Sequence, residues 1–96
     1  MTMTDSSRRI EWTNAFKRDY KREKKKRPDL DEILSPILYK LMNDEQLEER
    51  YCDHALIGDK FGFRDCHIKP DLLLLYHKQY ENVLTLIRLG SHSQLF

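Results

Sequence analysis

Histidine and arginine side chains punctuate the apolar runs in the second half of the chain, which indicates a chemical site. His54, His67 and His92 are three of the four histidines. Histidine titrates near neutral pH and can act as a base or as an acid. Arg88 can offer paired donors to a phosphate group. These residue types suit cleavage of an RNA phosphodiester by its own 2′-hydroxyl, which needs a base, an acid and a cation.

Two aspartates are expected beside these histidines. Alternation along a strand places Asp65 and His67 on the same face, directed to the open side of a sheet. Asp71 opens the following strand, so the topology of a hairpin makes it a neighbour of His67 and allows Arg88 to lie close to both. The pattern therefore predicts one shared polar surface.

The two cysteines raise two other kinds of site. Cys52, His54, Cys66 and His67 are residue types that zinc prefers, but their spacing matches no common zinc motif. Cys66 and His67 are adjacent and should point to opposite faces of a strand. A nucleophilic Cys–His site is also disfavoured, because Cys66 is expected to be buried as a small hydrophobe. The sequence therefore predicts no metal ion and no other cofactor.

Each of these features also has an ordinary structural explanation. An isolated histidine is most often a surface residue or part of a turn, Asp65 could pair with a lysine, and Asp71 could cap a turn. The basic run from Lys17 to Arg27 could be a solvated helix face. The residues by themselves leave the nuclease and the structural interpretations open.

The elements that must position these side chains begin with a strand and a helix. Polar and apolar residues alternate over residues 9–12, which predicts a short strand. Thr13 can cap a helix that runs to about Lys26, and Pro28 ends it. The apolar residues of this helix repeat every four positions, so only one edge should be buried.

A second helix is predicted over residues 30–42, where apolar residues form a wide face. Asp29 at its start and Glu32 three residues on have the spacing of a capping box. We expect Pro36 to kink this helix, because proline removes a backbone hydrogen bond. The two helices together form an αα-hairpin.

Three further strands complete the predicted fold, and they span residues 61–68, 72–77 and 83–88. Short turns at 69–71 and 78–81 predict an antiparallel meander. The fold class is α+β, with the N-terminal strand and the helical hairpin packed on one face of a small antiparallel sheet in the order β-α-α-β-β-β. The other face is left to carry function. We expect one domain over residues 1–96, of which 1–8 form a flexible tail.

Charge is unevenly distributed along the 96 residues, although the formal net charge is only +1. Residues 1–27 contain ten Lys and Arg against four acids, a net charge of +6, and residues 28–96 contain seven against twelve, a net charge of −5. The basic first helix should therefore follow the phosphates of a nucleic acid. With two cysteines, no signal peptide and no apolar run near ~20 residues, the sequence predicts a soluble, cytoplasmic protein without a membrane partner.

Three segments of the C-terminal half form a long, ordered pattern. They are Asp53-His54-x-Leu56-x-Gly58, then Gly62-x-Arg64-Asp65-Cys66-His67-Ile68-x-Pro70-Asp71 with a leucine run ending in Tyr76, and Arg88-x-Gly90-Ser91-His92-Ser93-x-Leu95-Phe96. This pattern closely resembles the YafQ branch of the RelE/ParE toxin superfamily. The resemblance covers about residues 9–96, and the N-terminal half matches in layout more than in residues. Ala55, Leu72 and the long N-terminal tail depart from the pattern.

The resemblance implies a bacterial type II toxin, a ribosome-dependent and metal-independent mRNA endoribonuclease that a cognate DinJ-like or RelB-like antitoxin holds inactive. Its partners would be this antitoxin, the ribosome and mRNA, with operator DNA reached only through the antitoxin complex. We expect His92 and Asp71 to be the proton-transfer pair, His54 and His67 to assist them, and Arg88 to stabilise phosphate charge. The expected substrate-binding residues are Asp65, Phe96, Lys17, Lys21, Lys24 and Lys25.

A protein that acts only by binding is the alternative. It could poison another target, as ParE-like toxins do, or serve as a co-repressor with its antitoxin. Such a protein would not need His54, His67 and His92 together. Codon-positioned cuts in mRNA from induced cells would support the nuclease, and intact mRNA with DNA damage would support the alternative.

Overall fold

The computed structural model describes residues 7–78, 80 and 82–96, which form the predicted α+β fold. Its helices and strands are, in chain order, β1 (Arg9–Trp12), α1 (Asn14–Lys26), α2 (Leu30–Met42), β2 (His54–Ala55), β3 (Arg64–Lys69), β4 (Leu72–His77), β5 (Val83–Gly90) and α3 (His92–Leu95). Two 3₁₀ turns, Glu49–Tyr51 and Gly58–Lys60, flank β2. The predicted helices and strands are therefore confirmed, except that β3 begins at Arg64 and not at residue 61. The elements β2 and α3 are additions.

Local sequence signals explain the start of α1 but not the start of α2. The Thr13 hydroxyl accepts a hydrogen bond of 3.0 Å from the Phe16 N–H, and this is the predicted cap. Asp29 lies at the N-cap of α2, but its side chain makes no capping hydrogen bond, so the predicted capping box is wrong. The helix α2 runs through Pro36 without a break, and a kink at that residue stays a prediction.

The sheet is mixed rather than purely antiparallel, with strand order β1-β5-β4-β3-β2. The strands β2 to β5 pair antiparallel with their neighbours, whereas β1 pairs parallel with β5. Short turns force the meander strands to be antiparallel, but β1 reaches the sheet through two helices and is free of that constraint. The prediction of a purely antiparallel sheet is therefore wrong at the β1 edge, where the pairing with β5 is parallel.

Helices cover one face of the sheet, and the main core lies there. Leu72, Leu74 and Tyr76 of β4 point into this core and are buried, as Phe16 of α1 is. Burial of a side chain of this size contributes about 1.5–3 kcal/mol relative to exposure. The alternate β4 residues Leu73 and Leu75 point to the other face and are also buried.

That second face is not left open, as the sequence had suggested, because α3 packs against β5. Leu95 of α3 is buried there. Coverage of the second face leaves only part of it for a functional site.

The N-terminal end of the described chain is tied to the fold. The Arg8 N–H donates to the Met42 carbonyl at 2.8 Å, and its guanidinium pairs with Asp44 at 2.8 Å. The prediction of a flexible tail over residues 1–8 is therefore wrong at Arg8, and residues 1–6 lie outside the described residues. Residues 79 and 81 of the predicted turn at 78–81 also lie outside them. Within the described ranges, no helix has the length and apolar character to cross a membrane.

Candidate active site

A pocket of about 470 Å³ lies where β2, the loop after it, β3 and α3 meet. Two histidines line it, His54 from β2 and His92 from α3. Asp65 of β3 and Phe96 at the chain terminus line it as well. The pocket joins residues far apart in sequence, and it contains four of the residues that the sequence marks as functional.

His54 is held in one orientation by a turn of the backbone. Cys52 adopts a left-handed conformation with φ of 49°, and its carbonyl oxygen lies 2.6 Å from Nδ1 of His54. A carbonyl can only accept, so Nδ1 carries the hydrogen and donates it. The other nitrogen, Nε2, is directed to Asp65 and lies 3.7 Å from its Oδ2 atom. This arrangement leaves Nε2 free to take up a proton.

Asp65 is the buried carboxylate of the pocket. It is only 3% exposed, and among the described residues its Oδ1 atom has no hydrogen-bond partner. Burial raises the pKa of Asp65, and the positive charges of the three nearby histidines oppose that rise. An unsatisfied, buried carboxylate costs stability and is typical of a functional position.

His92 is the first residue of the short helix α3, and Phe96 follows the last one. Ser91 is the N-cap of this helix. The Ser91 side chain and Gln94 form a reciprocal capping box. The rings of His92 and Phe96 are 5.0 Å apart, and the Lys60 Nζ atom lies 5.6 Å from the centre of the Phe96 ring. The cap fixes the start of α3 and so fixes the position of His92.

His67 lies near this pocket but does not line it. It follows Asp65 by two residues on β3, and its charge reaches Asp65. His67 lines a second cleft, of about 590 Å³, between β3, α2 and the Glu49–Tyr51 turn. All three histidines that the sequence singled out therefore surround the same carboxylate, with His67 at the boundary of two clefts.

Arg88 is bound to helix α1 instead of facing the pocket. Its Nε donates to Asp19 Oδ2 at 2.6 Å and its Nη2 to Asp19 Oδ1 at 3.3 Å. Asp19 also accepts from Arg22 at 2.9 Å and from the Leu89 N–H at 3.0 Å. Burial by itself would raise the pKa of Asp19, but these hydrogen bonds outweigh it and lower that pKa. The expectation that Arg88 lies beside Asp71 and His67 is corrected by this pairing.

Asp71 is exposed in the turn between β3 and β4, where Arg27 binds it. The Arg27 Nη2 atom lies 3.0 Å from Asp71 Oδ2. Among the described residues, Asp71 makes no hydrogen bond or ion pair with a histidine or with Arg88. Topology does place Asp71 close to His67 along the chain, but a cation from the link between α1 and α2 directs its side chain elsewhere. The expected pair of Asp71 and His92 is not formed in this structure.

The four lysines that the sequence assigned to substrate binding lie on α1. Lys17, Lys21 and Lys25 are exposed. Lys24 is bound by its own neighbours, because its Nζ atom donates to the Pro28 carbonyl at 2.9 Å and to Asp31 at 3.2 Å. Three of the four are therefore exposed cationic side chains on α1.

Several residues of the site were missed by the sequence interpretation. Asp19 and Glu23 are buried among the basic residues of α1, and their spacing of three and seven positions from Phe16 was the available signal. Ile57 and Lys60 line the histidine pocket. No local pattern marks these two residues, because the loop reaches the pocket only through the fold.

Comparison with known proteins places this geometry in a family. A family model described as "Bacterial toxin of type II toxin-antitoxin system, YafQ" matches residues 8–96. The chain belongs to the YafQ family. The mRNA interferase toxin YafQ of Escherichia coli K12 is 33% identical over 89 residues, which cover 93% of this chain and 96% of that relative.

Solved structures of similar proteins share the fold. The Escherichia coli DinJ–YafQ complex matches with a TM-score of 0.81 and 33% identity, covering 93% of this chain and 98% of the matched one. A metal-bound toxin from Helicobacter pylori matches with a TM-score of 0.82 and 44% identity, covering 91% and 97%. The resemblance stated from sequence is thus confirmed at the level of family and fold.

Proposed function

We propose that this YafQ-family chain is the toxin of a type II toxin–antitoxin system and an endoribonuclease that cuts mRNA on the ribosome. The convergence of His54, His92 and Phe96 around the buried Asp65 is the observation that carries this proposal. Similarity to a protein named mRNA interferase toxin supports it. Two imidazoles that line one pocket can act as base and acid at neutral pH.

The proposed reaction is attack of the 2′-hydroxyl on the adjacent phosphate. His54 Nε2 takes the hydroxyl proton as the bond between the 2′-oxygen and phosphorus forms. The bond from phosphorus to the 5′-oxygen breaks, and His92 gives a proton to that leaving oxygen. The products are a 2′,3′-cyclic phosphate and a free 5′-hydroxyl, so the proton count balances between the two histidines.

His54 is assigned the base because its Nδ1–H is engaged by the Cys52 carbonyl. This bond leaves the lone pair on Nε2, which is the form a base requires. Asp65, 3.7 Å away, stabilises the imidazolium that forms. His67, two positions from Asp65 on β3, can donate an N–H hydrogen bond to a phosphate oxygen.

The structure supports other roles for Asp71 and Arg88 than those expected from the sequence. Asp71 is paired with Arg27, so we assign the base to His54 instead. Arg88 uses its Nε and Nη2 atoms to bind Asp19. We therefore propose that Arg88 is a positioning residue, which fixes the end of β5 that leads into the helix with His92.

We propose that the reaction needs no metal ion, because imidazoles supply both proton-transfer groups. A related Helicobacter pylori toxin is known in a metal-bound form, so this point needs its own control. Cleavage that persists unchanged after dialysis against EDTA is expected. Loss of cleavage that returns when Zn²⁺ or Cu²⁺ is added back would contradict metal independence.

The partners follow from the same reasoning. The similarity to YafQ in complex with DinJ supports a cognate antitoxin, with operator DNA bound only through that complex. Exposed lysines on α1 suit the phosphates of mRNA and of the ribosome. Because translated mRNA is the substrate, we place the action of the protein in the cytoplasm.

Cleavage mapping tests the proposal directly. One transcript is prepared in two forms, with and without its start codon, and is incubated with the protein in a translation extract. Primer extension should show cuts at codon-fixed positions only in the translated form. Equal cutting of both forms would contradict ribosome dependence, and intact RNA in both would favour the non-catalytic alternative.

A further inference from the structure

The loop between β2 and β3 carries two large apolar side chains that point into solvent. Ile57 is 84% exposed and Phe61 is 82% exposed, more than the other exposed large hydrophobic residues in the described ranges. Exposed apolar groups that cluster beside a pocket mark a binding surface more often than isolated ones do. Ile57 lines the histidine pocket and Phe61 follows it by four positions on the same loop, so this exposed apolar pair needs a functional explanation.

The loop conformation is defined by its own hydrogen bonds. The Leu56 N–H donates to the Phe63 carbonyl at 2.9 Å, and the Phe61 N–H donates to the Gly58 carbonyl at 3.1 Å. Gly62, with φ of 97°, supplies a left-handed backbone that a side chain would strain. Ile57 and Phe61 are thus held outward by an ordered turn.

This loop forms the wall of the pocket that faces the C-terminal helix. Ile57 and Lys60 line the pocket together with His92 and Phe96. The Lys60 ammonium lies 5.6 Å from the centre of the Phe96 ring, so the two walls approach each other across the opening. An aromatic face, an aliphatic side chain and a cation form a slot that suits a nucleobase and its phosphate.

We propose that residues 57–61 form the second wall of a nucleotide slot that holds the mRNA substrate. One base stacks between Phe96 and Ile57, and Lys60 moves from the Phe96 ring to the phosphate of that nucleotide. Phe61, at the outer rim, stacks on the next base along the strand. This inference rests on the proposed nuclease function and adds the element that positions the RNA.

RNA fits this surface better than a protein partner does. A stable protein interface buries about 800 Å² on each side, whereas two apolar side chains separated by one turn offer a small patch. Stacking on single bases needs no larger area, and each stacked base contributes enough to change affinity about ten- to hundred-fold. The patch is also continuous with the proposed catalytic pocket.

The test measures cleavage on ribosomes programmed with one mRNA, as a function of toxin concentration. Ile57→Ala and Phe61→Ala should each raise the half-saturating concentration about ten-fold or more and leave the maximal rate within about two-fold. Tyr39→Ala is the matched control, because Tyr39 is 64% exposed on α2, away from the pocket. The control should behave as the wild type does.

A baseless nucleotide in the mRNA separates stacking from a general structural effect. Removal of the base proposed to stack between Phe96 and Ile57 should weaken binding of the wild type, but should add little to the defect of Ile57→Ala, because the two changes remove one contact. Additive defects would overturn the inference. Wild-type cleavage by both loop variants would also overturn it, while the nuclease proposal would stand.

Two further outcomes are informative. If the loop variants cleave normally but lose binding to the tagged cognate antitoxin, the surface is a protein docking site and the RNA slot is wrong. If the wild type does not cut programmed ribosomes, the nuclease proposal itself fails.

Discussion

Two clusters of charged side chains in this protein differ in how completely their carboxylates are satisfied. In the network between α1 and β5, Asp19 accepts four hydrogen bonds from Arg22, Arg88 and the Leu89 N–H. In the histidine pocket, one oxygen of Asp65 has no hydrogen-bond partner within the part of the chain that the structure describes. Both aspartates are 3% exposed, so burial does not explain the difference.

The pKa values of the two aspartates shift in opposite directions. Cationic and backbone donors outweigh burial at Asp19 and lower its pKa, whereas burial dominates at Asp65 and raises its pKa. A buried carboxylate with all of its hydrogen bonds stabilises the fold. A buried carboxylate that lacks one destabilises the fold and is typical of a functional position. From this comparison we propose that the arginine-rich network is structural and that the histidine pocket is the reactive region.

The largest effect is expected for His92→Ala, which removes the proposed acid. Cleavage should fall by ~10²–10⁴, while stability changes little because the side chain is exposed. Growth arrest on induction and primer extension of cellular mRNA measure the loss, and retained binding to the antitoxin shows that the fold is intact. Normal arrest by this variant would remove His92 from catalysis and weaken the contrast between the two regions.

Asp19→Asn should give the largest loss of stability. Removal of one partner of a fully buried ion pair costs about 3–5 kcal/mol. Arg22 and Arg88 are each 33% exposed, so water screens part of the effect and a loss of about 2–4 kcal/mol is expected. Urea unfolding measures it.

The pH dependence of the Asp19 effect has a defined direction. The pKa of Asp19 is lower in the folded chain than its ordinary value of 3.8, so its stabilisation is present above that value. The stabilisation disappears as the pH falls through the lower folded pKa. Asp31→Asn is the control, since Asp31 is an exposed carboxylate with a lysine partner. Equal unfolding midpoints for both variants would show that the network is not structural.

Asp65→Asn should have the opposite effect on stability. The ionised form of Asp65 is penalised by burial, so a neutral amide should stabilise the folded chain on the order of 1 kcal/mol above neutral pH. The gain should fade as the pH falls from neutral through the raised pKa of Asp65, because the protonated carboxyl carries no such penalty. Cleavage by Asp65→Asn should be slower than cleavage by the wild type at the pH values where Asp65 is ionised, because the amide does not stabilise the imidazolium of His54. A variant that is both less stable and fully active would make Asp65 a structural residue.

The smallest effect is expected on the exposed face of α1. Replacement of Lys17, Lys21 and Lys25 by alanine removes cations that have solvent around them, so stability should stay within about 0.5 kcal/mol. Cleavage on ribosomes should become less sensitive to salt, by about one unit of the log–log slope for each lost phosphate contact. Lys40→Ala on α2 is the control, and an identical slope for both variants would argue against a nucleic-acid contact at α1.

Local rules let the sequence determine the elements and the family. Thr13 caps α1 by accepting from the N–H of Phe16, only three residues on. The leucine run of β4 lies between the two turns that were predicted to flank it. The ordered motifs around His54, His67 and His92 carried the resemblance to YafQ, because motif recognition uses residue types and spacing rather than contacts. The direction of β1 in the sheet could not be predicted by such rules, because it is set by pairing with β5, more than 70 positions away.

Tertiary structure decided which charged groups became partners. Arg88 and Asp19 are 69 positions apart, and Arg27 and Asp71 are 44 apart, so no sequence window contains either pair. Every carboxylate in a basic chain has several possible cations, and only the packed positions of helices and strands select one. The same packing left one oxygen of the buried Asp65 without a hydrogen-bond partner among the described residues. It also brought Ile57 and Lys60 into the pocket that Phe96 lines. The sequence thus named the reactive residue types, and the fold determined which of them share a pocket.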